Sequence, residues 1–305
     1  MITKLWNNAH ILLAMAALSW AGHAIALRLS VGEISPMLLM DLRWLISFIL
    51  LSTLFRRDII AALPLVRARW RWFLMMGGTG LAGFTILLAY AAHHTTAMNL
   101  GILQGVMPAL VMLFGLLFYQ TKTGFLQVMW FVTSLFGIVV LVSAGSLQTL
   151  LALRFNSGDL LMVAACFCYA GYVVNLAKRP EMPPLVLLCF FSFCAFLACS
   201  IFTVVEYMRG MMVLPGWEGL LLLGYCAVFP SILSQSFFMR GVELAGANRA
   251  GLYINLVPVF AAFLAVLILS ESMRTYHVIA LVAVVGGIFL AERSKPVVYG
   301  DGGTV

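Results

Sequence analysis

The sequence predicts an all-α membrane protein of ten transmembrane helices, arranged as two inverted five-helix repeats. Three observations carry this. Of 305 residues, 63% are hydrophobic and only 10% are charged, against about 25% charged in an ordinary soluble domain. Apolar runs close to the ~20 residues that cross about 30 Å of hydrocarbon recur along the whole chain, separated by short polar or proline-containing joints. Finally, "LGILQGVMPAL", residues 100–110, returns as "AGLYINLVPVF", residues 250–260, with Gly101 opposite Gly251 and Pro108 opposite Pro258.

The first span, 9–29, follows eight residues with one lysine and no small-residue cleavage site, so it is expected to be a retained helix and not a removed leader. The second, 36–55, stops at Arg56 and Arg57. The third, 72–92, follows Arg67, Arg69 and Arg71, which interleave with Trp70 and Trp72 as interfacial anchors do. The fourth, 97–119, carries Gly101, Gly105 and Pro108, and the fifth, 125–145, carries Gly137. In the second half the spans are 158–177, ending before Lys178 and Arg179; 185–207; 218–240, ending on Arg240; 248–269, with Gly251 and Pro258; and 275–292, with Gly287 opposite Gly137. The expected units are 1–146 for the first repeat, 147–294 for the second and 295–305 for a polar cytoplasmic tail.

Orientation follows from basic residues. With the N-terminus in the cytoplasm, only Arg28, Arg154, Arg209 and Arg274 of the 18 Lys and Arg fall in far-side loops, while Arg43 falls inside a span. That bias is what the positive-inside rule requires when both termini are cytoplasmic. The net charge of +7 thus expresses topology, and no nucleic-acid partner is implied.

The repeat extends further. "HILLAMAALSWAGH", 10–23, aligns with "DLLMVAACFCYAGY", 159–172, placing Trp20 opposite Tyr169 and His23 opposite Tyr172. Five spans per half is an odd number, so the second half enters the membrane from the other side. Inverted repeats of this kind are the usual plan of secondary transporters, with a substrate site near the midplane.

These residues also carry a family resemblance. "LSWAGHAIALR", "RFNSGDLLMVAA" and "GVELAGANRAGLYINLVPVFAAFLAVLILSESM" resemble the EamA family of the drug/metabolite transporter superfamily over nearly the whole chain. The resemblance implies a ten-helix carrier of the bacterial inner membrane, in a group that includes exporters of amino acids and related metabolites. One departure is Ser270-Glu271, where such blocks often have Gly-Glu after the ninth helix, with Gln120-Thr121 at the first-half position.

Proline inside a helix removes an N–H and crowds the carbonyl four residues earlier, here that of Gln104 or Ile254. At midplane depth such backbone is tolerated only where protein or a water-filled cavity surrounds it, so both carbonyls are expected to face inward. Gly101, Pro108, Gly251 and Pro258 are the expected hinge or gating positions, against the plainer alternative of static kinks. Residues three and four apart share a helix face. That groups Trp20 with His23, and Tyr169 with Tyr172 and Asn175, as candidate substrate-binding stripes that could equally be core packing. Gln104, Asn255, Thr85, Gln235 and Tyr90 add intramembrane polar groups; neutral amides both donate and accept, which suits a polar or zwitterionic substrate.

Asp41 and Arg43 lie within the second span, where ionisable groups are expensive and usually face the bundle interior. Two apart, they point to different faces. Arg43 is suited to grip a substrate carboxylate bidentately, and Asp41 to bind an amine or carry a coupling proton. The alternative is an outer-leaflet pair that snorkels toward water.

All six cysteines fall inside expected spans, which leaves no loop disulfide, and Cys166-x-Cys168 lacks a second ligand pair. His93-His94 has no carboxylate or cysteine cluster beside it, so neither metal nor other cofactor is expected. No nucleophile–base set suggests an enzyme, and no G-x-x-x-x-G-K-[ST] occurs. The expected partners are a small-molecule substrate and the lipid bilayer, with protons as a candidate coupling ion and a homodimer as a candidate assembly. The expected function is alternating-access transport of small amphipathic metabolites, most of all export of amino acids or related compounds. A carrier or efflux pump for an organic cation, nucleoside or drug is the same-fold alternative, and a non-transporting scaffold a more distant one.

Overall fold

A computed structural model describes residues 6–92, 94–95, 97–121, 124–152, 156–268 and 272–293. Of the positions named above, His93, Arg154, Ser270, Glu271 and the tail 295–305 lie outside these. The described residues are helical with short connections, and eight of their helices are long and apolar enough to cross a membrane.

Helix α1 (Ala9–Leu29) starts where the Asn8 side chain accepts from the N–H groups of His10 and Ile11, supplying partners that helix starts lack. Helix α2 (Pro36–Leu54) opens on proline, whose missing N–H is no loss in a first turn. Its next two N–H groups, of Met37 and Leu38, donate to the Glu206 carboxylate at 3.4 and 3.2 Å. The joint after it is itself a helix, α3 (Arg56–Ala68), with no buried residue. Then follow α4 (Trp70–Ala92), α5 (Ala97–Gly105), α6 (Met107–Tyr119), α7 (Phe125–Val142) and a single turn, α8 (Leu147–Leu151). The second half holds α9 (Ser157–Asn175), α10 (Pro184–Met208), α11 (Trp217–Ala245), α12 (Ala247–Tyr253), α13 (Leu256–Ile268) and α14 (Thr275–Arg293). At the expected fifth and tenth spans the apolar helical stretches are shorter, Gln127–Val142 and Thr275–Ile288.

The main packing joins the two halves. Helix α1 lies on α11 and α13, and α9 lies on α4 and α6; α2 packs on α10, and α7 on α14. Small residues make the last contact possible, because a Cβ on Gly137 would stand 2.9 Å from Ala283 Cβ and one on Gly287 would stand 3.0 Å from the Trp130 carbonyl.

The two spans that carry the repeated prolines, Pro108 and Pro258, are broken where the sequence places the strain. Between α5 and α6 the chain tightens at Val106, whose N–H donates to Leu103 and whose carbonyl accepts from Ala109. Between α12 and α13 it tightens at Ile254 and Asn255. There the expectation of an inward-facing free carbonyl at Ile254 needs correcting, because it accepts from Val257 N–H at 3.0 Å. A three-residue hydrogen bond replaces the four-residue one that Pro258 forbids.

Two wider turns were not expected. In α11 the stretch Phe229–Leu233 is a π-helical turn; Pro230 frees the Cys226 carbonyl, and Ser231 Oγ donates to it at 2.8 Å. In α4 a π-helical stretch spans Met75–Gly83 without a proline. Its glycines let α4 approach α9 and α10 closely: a Cβ on Gly77 would collide with the Phe191 carbonyl, and one on Gly80 would stand 2.7 Å from Tyr172 Cβ.

Candidate functional site

A cavity of about 580 Å³ lies between α1, α2, α4, α9, α11 and the breaks of the α5–α6 and α12–α13 pairs. It has the size usual for small-molecule sites. One end reaches the Ser30–Pro36 connection, Ala92, and Met211 and Val213 beyond α10.

Its lining gathers six of the candidate residues named from the sequence, Trp20, His23, Arg43, Gln104, Tyr169 and Gln235, with Thr85 beside them. Trp20 stands edge-on to Tyr169 at 6.1 Å between ring centres, and Phe84 tilts against Tyr169 at 5.1 Å. Tyr172 is one layer behind, its hydroxyl donating to Gln235 Oε1 at 3.1 Å, which orients that amide.

The other candidates are placed elsewhere. Asp41 turns toward α10 and accepts from Ser200 Oγ at 2.9 Å. Tyr90 packs edge-on against Phe202. Asn175 accepts from Tyr119 Oη and donates to the Gly171 carbonyl, both at 2.8 Å. Asn255 donates to Ser134 Oγ of α7 at 2.9 Å. None of these four lines the cavity. Pro108 is buried near the start of α6 and Pro258 sits near the start of α13. Gly251 lies against Val111, and Gly101 belongs to α5.

Arg43 dominates the electrostatics. It is 4% exposed and about 10 Å along α2 from its first residue, at 1.5 Å per residue. Nη1 lies 3.0 Å from His23 Nε2, and the guanidinium stands 4.8 Å over the Trp44 ring. Arginine keeps its proton in proteins, so Nη1 donates and Nε2 accepts; His23 is therefore the neutral tautomer protonated on Nδ1. Arg43 Nε and Trp44 Nε1 are buried donors without a partner among the described residues. Among the described residues, the cavity lining contains no Asp, Glu or Lys.

Sequence reasoning missed Trp44, although it neighbours Arg43, and Phe84. It also missed the polar cross-links at the opposite end of α1. There His10 Nδ1 meets Tyr253 Oη at 2.8 Å, Glu243 bridges Arg179 at 2.6 Å and Arg240 at 2.8 Å, and Arg240 reaches Asn7 at 2.8 Å. Lys178 lies over the Tyr119 ring at 4.6 Å.

Known proteins share this architecture. The model of the EamA-like transporter family matches residues 7–143 and 156–293. The uncharacterized transporter YetK of Bacillus subtilis (strain 168) is 27% identical over 310 residues, covering 98% of this chain and 91% of its own length. An uncharacterized transporter of Archaeoglobus fulgidus is 26% identical over 295 residues, covering 95% of this chain and 99% of its own. A solved structure titled "Crystal structure of protein" superposes with a TM-score of 0.74 over 93% of this chain and 96% of that one, at 21% identity, which shows a shared fold. Since the family model covers both halves, the chain belongs to the EamA-like transporter family and is a multi-pass membrane transporter.

Proposed function

We propose that this protein is a secondary carrier of the bacterial inner membrane, with both termini in the cytoplasm, that moves small amphipathic carboxylates, amino acids among them, by alternating access between inverted halves 1–146 and 147–294. The observation that carries this reading is one cavity, amphipathic and containing a buried arginine, that reaches one end of the bundle while the other end is cross-linked. The exchange symmetry of the packing supports the inverted repeat: α1 lies on α11 and α13 as α9 lies on α4 and α6. Under the N-in orientation the cavity mouth faces outward and the cross-links close the cytoplasmic end. Opening inward requires breaking those polar contacts, which lie where α1, α9 and α11 begin or end. Neither proton coupling nor a homodimer is required by this reading. The aromatic walls alone would suit an organic cation through cation–π contact, but Arg43 in the same cavity opposes one.

The test is counterflow in proteoliposomes preloaded with neutral amino acids, following entry of labelled ones. Exchange above protein-free liposomes, competed by unlabelled substrate, supports amino-acid carriage. No exchange by folded protein, with either amino acids or other small carboxylates inside, overturns the carrier reading.

A further inference from the structure

We propose that the obligatory feature of the substrate is a single anionic group taken by Arg43, and that an amino group is not required. This rests on reading the cavity as the substrate site. Arg43 cannot shed its charge, and a buried charge is normally paired. Here its described partner is a neutral imidazole, and Nε has none. Two acidic side chains on α2 and α10 are committed elsewhere: Asp41 to Ser200, and Glu206 to the first turn of α2. A monoanion therefore neutralises the lining. A cation adds to the charge already there, and the ammonium of a zwitterion finds no counter-charge on the described lining.

The rest of the lining describes the remainder of the molecule. Trp20, Trp44, Phe84, Tyr169 and Met107 offer ring faces and polarizable apolar surface, while Gln104 and Gln235 offer neutral hydrogen bonds at a few points. A small carboxylate with an aromatic or branched aliphatic body fits these surfaces. His23 acts as a positioning residue, holding one N–H of the guanidinium so that the fork keeps a fixed plane. Its Nδ1–H stays available as a further donor.

The experiment uses probes with one body and three heads: 3-phenylpropanoate, 2-phenylethylammonium and 3-phenylpropanamide, with L-phenylalanine as the zwitterion. Binding to the full chain in nanodiscs is followed by tryptophan fluorescence. The carboxylate is expected to bind at least about tenfold more tightly than the ammonium and no more weakly than phenylalanine, because only it leaves no buried charge unpaired. Arg43→Gln should lower carboxylate affinity about tenfold more than it lowers amide affinity, and Arg43→Lys should fall between, lacking the bidentate fork. Retained amide binding reports that the variant is folded; if Arg43→Gln does not fold, the head-group order in the native chain decides. Equal or tighter binding of the ammonium, unchanged carboxylate binding in folded Arg43→Gln, or no saturable binding of any carboxylate overturns the proposal. Counterflow keeps the two readings apart. Selective carboxylate binding without exchange would leave the anion site standing and sink the carrier, while exchange with no head-group preference would do the reverse.

Discussion

Arg43 and His23, on neighbouring helices, meet through a 3.0 Å hydrogen bond in the wall of the membrane cavity, with arginine as donor. That direction gives the pair its chemistry: the imidazole stays neutral, and the positive charge of the described lining rests on the guanidinium. His23→Asn retains a carbonyl acceptor and should keep most substrate affinity. His23→Phe leaves an N–H of a buried cation unsatisfied and should cost about 1–3 kcal/mol of stability. Thermal unfolding in detergent and carboxylate titration of both variants check this; equal behaviour of the two would contradict it.

Glu206 works at a distance, closing the first turn of α2 from α10. Removing it leaves buried N–H donors unpaired, so Glu206→Ala should destabilise the fold by about 1–2 kcal/mol. Because Glu206 does not line the cavity, substrate affinity in the folded fraction should stay within about twofold, as for a site that shares no partner with it.

Gly80 is a packing constraint with a functional neighbour. In Gly80→Ala the new Cβ stands 2.7 Å from Tyr172 Cβ, and overpacking of this kind costs about 1–3 kcal/mol. Displacement of Tyr172 also loosens its hold on Gln235. The variant should therefore lose both thermal stability and exchange rate, whereas a loss of stability alone would remove Gln235 from the working site.

Pro108 and Pro258 follow the two breaks in paired helices. Replacing either by alanine restores an N–H and favours a continuous helix. If the breaks work as hinges, counterflow should slow by about threefold or more while affinity holds, since hinge motion and not binding is altered. Unchanged turnover in both variants would make them static kinks.

How far the site was legible in sequence follows from what periodicity can encode. Spacing of three and four grouped Trp20 with His23, and the repeat drew Tyr169 in beside them, because facing and symmetry are local properties of the chain. It could not say which face of a helix looks into the cavity. Asn175 and Asn255 are intramembrane amides like Gln104 and Gln235, yet they bond Tyr119 and Ser134 on neighbouring helices. Asp41, two residues from Arg43, points away from it as helix geometry requires, and what it meets depended on Ser200, far along the chain. The proline breaks announced themselves through a missing donor. The wide turn of α4 and the Glu206 contact with α2 did not, since they arise from close helix approach and from a partner more than one hundred residues distant.

Access to the cavity tests the central claim most directly. Ala89 lies in its wall, and Glu243 holds the opposite end through Arg179 and Arg240, partly exposed bridges each worth about 0–1 kcal/mol. In a cysteine-free background, Ala89→Cys should react with a membrane-impermeant maleimide from the periplasmic side and little from the cytoplasmic side. Adding Glu243→Gln should raise cytoplasmic labelling about threefold, as loss of that order of energy shifts a two-state equilibrium. Labelling from the cytoplasmic side alone, or no cytoplasmic labelling in either background, would contradict a cavity that alternates between the two faces.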